Sequence, residues 1–153
     1  VSEIAVVRLT AGDDLAAAIG LLVRFFSEEG FATAPGTIAQ NARRLAALDT
    51  CGLFAASCGG ETIGVATVSL EFGIEFGWFA EMGDLYVVPP WRGRGVSRQL
   101  VAAVERYLVA KGASGYQVTV TPHAESQHGL RRFYESLGFA SEGRLILGKR
   151  FQD

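Results

Sequence analysis

The stretch Asp84-Leu85-Tyr86-Val87-Val88-Pro89-Pro90-Trp91-Arg92-Gly93-Arg94-Gly95-Val96-Ser97-Arg98-Gln99-Leu100 decides how this chain is read. A β-prone segment meets a double proline, passes through a glycine-rich turn and runs straight into a helical pattern. The prolines end the strand, because proline has no N–H to give to a ladder. Val96, Leu100, Val104 and Leu108 then recur every four residues, as the buried stripe of a helix does, up to about Lys111, where Gly112 provides the stop. The first N–H groups of a helix have no internal partners and together carry about half a positive charge. Glycines in the turn let an anion come close to the backbone. Arg92, Arg94 and Arg98 add three cations within seven residues, with no acid among them. Such a turn is an anion site, and it suits a phosphate.

Two common phosphate-binding patterns are excluded. The dinucleotide fingerprint G-x-G-x-x-G fails, since Arg98 stands where its third glycine belongs, and no second half of that fold follows. The P-loop pattern G-x-x-x-x-G-K-[ST] occurs nowhere.

Upstream, Ile4–Leu9 reads as a strand. A helix opens at Asp13 and Asp14, with Asp13 as its N-cap, and carries Leu15, Ala18, Ile19, Leu22 and Phe26 on one face until Gly30. A second helix spans about Thr37 to Leu48 with Ile38, Ala42, Leu45 and Leu48 inward. Leu53–Ser57 and Thr62–Leu70 form a hairpin around Cys58-Gly59-Gly60-Glu61. Glu71–Gly77 leads to a strand from about Trp78 to Val88. Downstream, Tyr116–Val120 predicts a strand, Gln127–Leu137 a helix and Leu145–Arg150 a closing strand. Hairpins mixed with strand–helix–strand crossovers predict one α/β domain over residues 1–153. Its central mixed sheet has about six to seven strands, flanked by about four helices.

Composition sets the outer limits. The chain has 153 residues, 49% hydrophobic and 20% charged, with a net charge of -2. That is one domain's worth of chain, with enough apolar content to fold without disulfide or metal staples. The small charge argues against nucleic acid or an anionic membrane as partner. No apolar run reaches the ~18 residues of a membrane span, and Val1–Leu9 lacks the pattern of a signal peptide, so a cytoplasmic protein is expected. Cys51 and Cys58, seven apart in one strand segment, face opposite sides and read as reduced thiols. His123 and His128 have no partners at metal-ligand spacing, and no metal is expected.

Asp84–Ser97 resembles motif A of the GCN5-related N-acetyltransferases, the GNAT superfamily, whose signature Q/R-x-x-G-x-G/A is met by Arg92 and Gly95, with Ser97 in the last place. About forty residues on, Arg132-Phe133-Tyr134-Glu135-Ser136-Leu137-Gly138-Phe139 resembles their motif B, FYxxLGF. The element order resembles the family's along essentially the whole chain. The chain departs from the family at Ser97, at Gln127 where many relatives have Asn, and at Leu130 where Ala is common.

The resemblance implies an enzyme that transfers acetyl from acetyl-CoA to a primary amine by direct attack in a ternary complex. It places the pyrophosphate on Arg92, Gly93, Arg94, Gly95, Val96, Ser97 and Arg98. The pantetheine arm would lie along Leu85, Tyr86, Val87 and Val88, with a backbone N–H near Val87 polarising the thioester, and Gln127 and Tyr134 would complete the cofactor site. Tyr134 is the implied donor toward the departing thiolate. Glu81, in Phe79-Ala80-Glu81, aligns with the base of the histone-acetyltransferase branch, with Asp84 or a water chain as alternatives. Glu71, Glu75 and Trp78, in a segment that interleaves three carboxylates with four aromatics, suit a small cationic acceptor. Glu28 and Phe31 lie in another acceptor-shaping place. A protein lysine or N-terminus as acceptor, and a non-catalytic acyl-CoA-binding module of the same fold, remain open, as does a homodimer.

Overall fold

The computed structural model describes residues 3–152 of the chain. The chain divides into two compact units, Val1–Thr119 and Val120–Asp153. The first unit holds a five-stranded mixed sheet in the order β1-β2-β3-β4-β5, made of Ala5–Leu9, Cys51–Cys58, Glu61–Gly73, Gly77–Val87 and Tyr116–Val118. The first four strands are antiparallel neighbours, and β5 runs parallel to β4. Its α-helices are α1 (Ala16–Glu29), α2 (Pro35–Ala46) and α3 (Val96–Ala110), and a single 3-10 turn covers Pro89–Trp91. No helix among the described residues is long and apolar enough to cross a membrane.

The four-residue repeat of α3 does what the sequence asks of it. Val96, Leu100, Val104 and Leu108 are all buried, on the sheet face that carries Gly64 and the equally closed Phe54, Ala66 and Val68. The helix lies so close to β3 that a Cβ at Gly64 would stand 3.0 Å from Leu100 Cδ1 and 3.1 Å from Val96 Cγ1. Leu100 is fully buried. Its truncation to Ala is therefore expected to cost about 2–5 kcal/mol in urea unfolding, and a loss below 1 kcal/mol would show that α3 is not a central packing element.

Several boundaries differ from the sequence reading. Asp13 does not cap α1: its carboxylate accepts from Thr10 N–H (2.7 Å) and Thr10 Oγ1 (3.1 Å), closing the preceding turn, while Asp14 Oδ1 accepts from Ala16 N–H. Helix α2 begins at Pro35, whose missing N–H costs nothing in a first turn, and ends before Leu48, which is exposed. Strands β3 and β4 extend into Glu71–Gly77 and meet at a tight turn, with Gly73 paired to Gly77. Strand β5 stops at Val118.

In the second unit the expected helix Gln127–Leu137 is two short ones, α4 (Pro122–His128) and α5 (Leu130–Ser136), parted by Gly129 at φ 59°. Thr121 caps α4 by accepting from Ala124 N–H. The expected closing strand Leu145–Arg150 does not form, and Leu145, Ile146 and Leu147 are exposed. Five strands among the described residues therefore replace the six to seven expected.

Candidate active site

The glycine-rich turn has the shape of an anion cradle. Gly93 (φ 75°) and Gly95 (φ 82°) both take the left-handed conformation, which directs successive backbone N–H groups to one side. Gly95 is the N-cap of α3, with no side-chain cap bond and no acid in the first turn. The positive end of the helix is therefore left for an external anion. Ser97 lies in that first turn, and Arg94 stacks over Trp91 at 5.1 Å. Arg92 is committed elsewhere: its Nε donates to the Val87 carbonyl (2.9 Å), and its Nη2 lies 3.3 Å from Glu28 Oε2. The backbone amides, rather than Arg92, make the centre of the cradle.

Strand β4 delivers the turn. Strand β5 pairs with β4 only over Ala80–Met82, so no strand among the described residues pairs with that edge of β4 over Gly83–Val87. Leu85, Tyr86, Val87 and Val88 thus lead into the cradle along an edge that an extended ligand arm could follow. On the other edge, Val88 N–H is taken by the Ile63 carbonyl (3.0 Å).

A bulge interrupts the β3–β4 pairing. Val68 faces Met82, whereas Thr67 faces Asp84, so Gly83 is the extra residue. Thr67 and Asp84 share the sheet face under α1 and α2, and Thr67 Oγ1 donates to Asp84 Oδ2. Both line a cavity of about 100 Å³. Leu22 and Phe26 of α1 and Ile38, Ala42 and Leu45 of α2 supply its apolar wall, and Thr33 and Asn41 its other polar groups. Burial pushes the Asp84 carboxyl up from its ordinary value, and the Thr67 bond draws it partly back. Glu81, three residues earlier, is exposed and accepts from Thr119 Oγ1 at 3.0 Å.

The acceptor residues expected from sequence fall into two groups. Glu28 joins β4, accepting from Tyr86 Oη at 2.8 Å as well as pairing with Arg92. Burial first, and the Glu28 bond next, push the Tyr86 phenol up. Phe31 packs edge-on against Phe25 and Phe26. Glu71, Glu75 and Trp78 lie on the exposed β3–β4 hairpin, where Trp78 meets Phe72 at 5.1 Å. None of these five lines the Asp84 cavity. Thr33, Asn41 and Thr67 were missed by sequence reasoning. No local pattern marks them, because three separate elements bring them together.

In the second unit Tyr134 is buried between Phe133 and Phe139, with ring centroids 5.2 and 5.4 Å away. Burial pushes its phenol up to about 12. Gln127 is exposed on α4. Among the described residues no group of three or more His, Cys, Asp or Glu could hold a metal, and neither Cys51 nor Cys58 is in a disulfide.

The family model described as Acetyltransferase (GNAT) family matches residues 15–139, and the chain belongs to that family. Proteins named acetyltransferase from Yersinia pestis strains Pestoides F and Antiqua are each 30% identical over 77 residues, or 48% of this chain and 52% of theirs. The match thus spans about half the length of those relatives.

Among solved structures, an aminoglycoside N-acetyltransferase, AAC(6')-Iy with a bisubstrate analogue, CoA-S-monomethyl-acetylneamine, superposes at a TM-score of 0.84. It is 21% identical, over 99% of this chain and 100% of that one. A soil-metagenome aminoglycoside acetyltransferase in complex with sisomicin gives 0.79 at 18% identity, over 98% and 97%. A transcriptional regulator from Bacillus halodurans C-125 also gives 0.79, at 21% identity over 97% and 100%. At these identities the likeness establishes the fold.

Proposed function

We propose that the protein is an acetyl-CoA-dependent N-acetyltransferase acting on a small cationic amine, a reading carried by the two left-handed glycines ahead of the uncapped α3 N-terminus. The cradle fits a pyrophosphate, with the backbone of Gly93–Ser97 as donor and Arg94 and Arg98 as surrounding charge. The edge of β4 fits an extended pantetheine arm. Acetyl-CoA supplies the acetyl group, the amine nitrogen forming a C–N bond to the carbonyl carbon as the C–S bond breaks.

Three residues shape the reaction around that exchange. A backbone N–H near Val87 polarises the carbonyl oxygen. Glu81 takes the amine's proton, directly or through water; at pH 7 an alkylammonium of pKa near 10.4 is about 4.6 kcal/mol short of its neutral form. Tyr134 donates a hydrogen bond to the departing thiolate. The aminoglycoside ligands of the structural neighbours support a cationic acceptor, and so does the single carboxylate, Asp84, in the small cavity. A cytoplasmic setting belongs to the same reading.

Titration calorimetry with acetyl-CoA, followed by thiol release across a panel of amines, tests the proposal. Binding with turnover is expected. Absence of binding would refute the cofactor, and binding without turnover on any small amine or peptide would make the protein a non-catalytic acyl-CoA module. Glu81→Gln is expected to lower turnover about 100-fold at pH 6. The deficit should shrink toward pH 10, where the free amine no longer needs a base. A pH-independent deficit would take Glu81 out of proton transfer.

A further inference from the structure

The Asp84 cavity has a composition of its own. Its walls from α1 and α2 are apolar at Leu22, Phe26, Ile38 and Leu45, and its sheet side presents a carboxylate held by Thr67. At about 100 Å³ it has room for several groups of water size, enough for an ammonium on a short aliphatic chain. A carboxylate set into an apolar wall attracts a cation strongly and leaves a neutral guest with an uncompensated charge beside it.

Resting on the acetyltransferase reading above, we propose that this cavity is an anchoring subsite for one cationic end of the acceptor, a primary ammonium on a short aliphatic chain, with Asp84 as its counter-ion, while a second amine of the same molecule takes the acetyl group. The anchored nitrogen is not the one that attacks. A direct ion pair with a carboxylate in an apolar setting favours the charged ammonium, which has no lone pair to offer. The acceptor class is therefore a linear diamine or a polyamine. A monoamine of similar length enters the subsite but presents nothing to acetylate, so it inhibits rather than reacts. Asp84 is here a specificity residue, and Thr67 positions its carboxylate.

The test uses 1,4-diaminobutane and n-propylamine as probes, with acetyl-CoA binding measured alongside by calorimetry. The wild-type protein is expected to bind and acetylate the diamine, and n-propylamine to compete with it. Asp84→Asn should raise the diamine Kd and KM at least tenfold with kcat changed less than threefold. Since it removes a half-buried charge while keeping an acceptor for Thr67, its Tm should be unchanged or higher. Ala42→Leu, which fills the cavity from α2 and leaves Asp84 in place, should weaken the diamine to a similar extent. Acetyl-CoA affinity should stay within twofold in both variants.

Loss of kcat rather than KM in Asp84→Asn would make Asp84 a proton acceptor and overturn the anchoring role. Diamine binding unaffected by both variants would overturn the subsite, as would a wild-type protein that binds acetyl-CoA but no diamine. Failure to bind acetyl-CoA would instead refute the reading on which the inference rests.

Discussion

Replacing Gly95 with Trp is expected to raise the Kd for acetyl-CoA at least 100-fold. Gly95 sits at φ 82° as the N-cap of α3, and nothing lies within 4 Å of the position its Cβ would take. The cost to the fold is thus a backbone cost, about 1–2 kcal/mol for a side chain in the left-handed region, rather than a clash. The cost to binding is larger, because the indole stands where an anion must approach the N–H groups of the turn. Gly95→Ala separates the two effects. It carries the same backbone strain with little bulk, so it should lower Tm about as much as the Trp variant while losing much less affinity. Calorimetry and thermal unfolding on the three proteins decide the matter. A Trp variant that binds within threefold of wild type would remove the turn from the cofactor site.

The second large effect is expected from Tyr134→Phe, with turnover falling about 100-fold, as for loss of a single preorganised donor, and acetyl-CoA affinity essentially unchanged. The buried phenol, pushed up to about 12, holds its proton at any pH where the protein works. Full transfer to a thiolate of pKa ~8.5 would be uphill by about 5 kcal/mol. In the proposed reaction Tyr134 would therefore act by hydrogen bonding to the charge as it develops, and not by giving up its proton. Phe keeps the ring contacts with Phe133 and Phe139 and loses only that bond. A split of kcat from Kd in stopped-flow and equilibrium measurements is the signature. An unchanged kcat would leave Tyr134 as a packing residue.

These expectations rest on parts of the molecule that the sequence displays unevenly. The four-residue spacing of Val96, Leu100, Val104 and Leu108 announces α3, because burial of one face dominates a long helix, and the hairpin around Gly59 and Gly60 is equally plain. The last part of the chain is not. A single left-handed residue, Gly129, divides what the apolar pattern at Leu130, Phe133, Tyr134 and Leu137 suggests is one helix. The apolar run Leu145–Leu147 satisfies strand propensity without forming a ladder, since propensity for the extended state does not supply a partner.

At the site, the cradle follows from residues adjacent in the chain and could be read there. The cavity could not. Thr33, Asn41, Thr67 and Asp84 span some fifty residues and come together only through the packing of α1 and α2 on the sheet. Asp13 shows a local contest of the same kind, in which a residue suited to cap a helix instead closes the turn at Thr10.

The bulge at Gly83 means that the placement of Asp84 is written in the number of residues as much as in their identity. A strand has a phase, and one inserted residue inverts it. With Gly83 present, Asp84 stands opposite Thr67 and Tyr86 opposite Val65. Were Gly83 instead drawn into the ladder opposite Thr67, a regular pairing continued from Val68–Met82 would set Asp84 opposite Ala66 and Tyr86 opposite Gly64. The carboxylate would then turn toward the side where Val96 and Leu100 crowd Gly64, and the phenol would turn away from Glu28. No side chain would have been altered, yet the charge would have changed sides of the sheet. The phase of the strand beyond Met82 thus depends on one glycine staying out of the ladder.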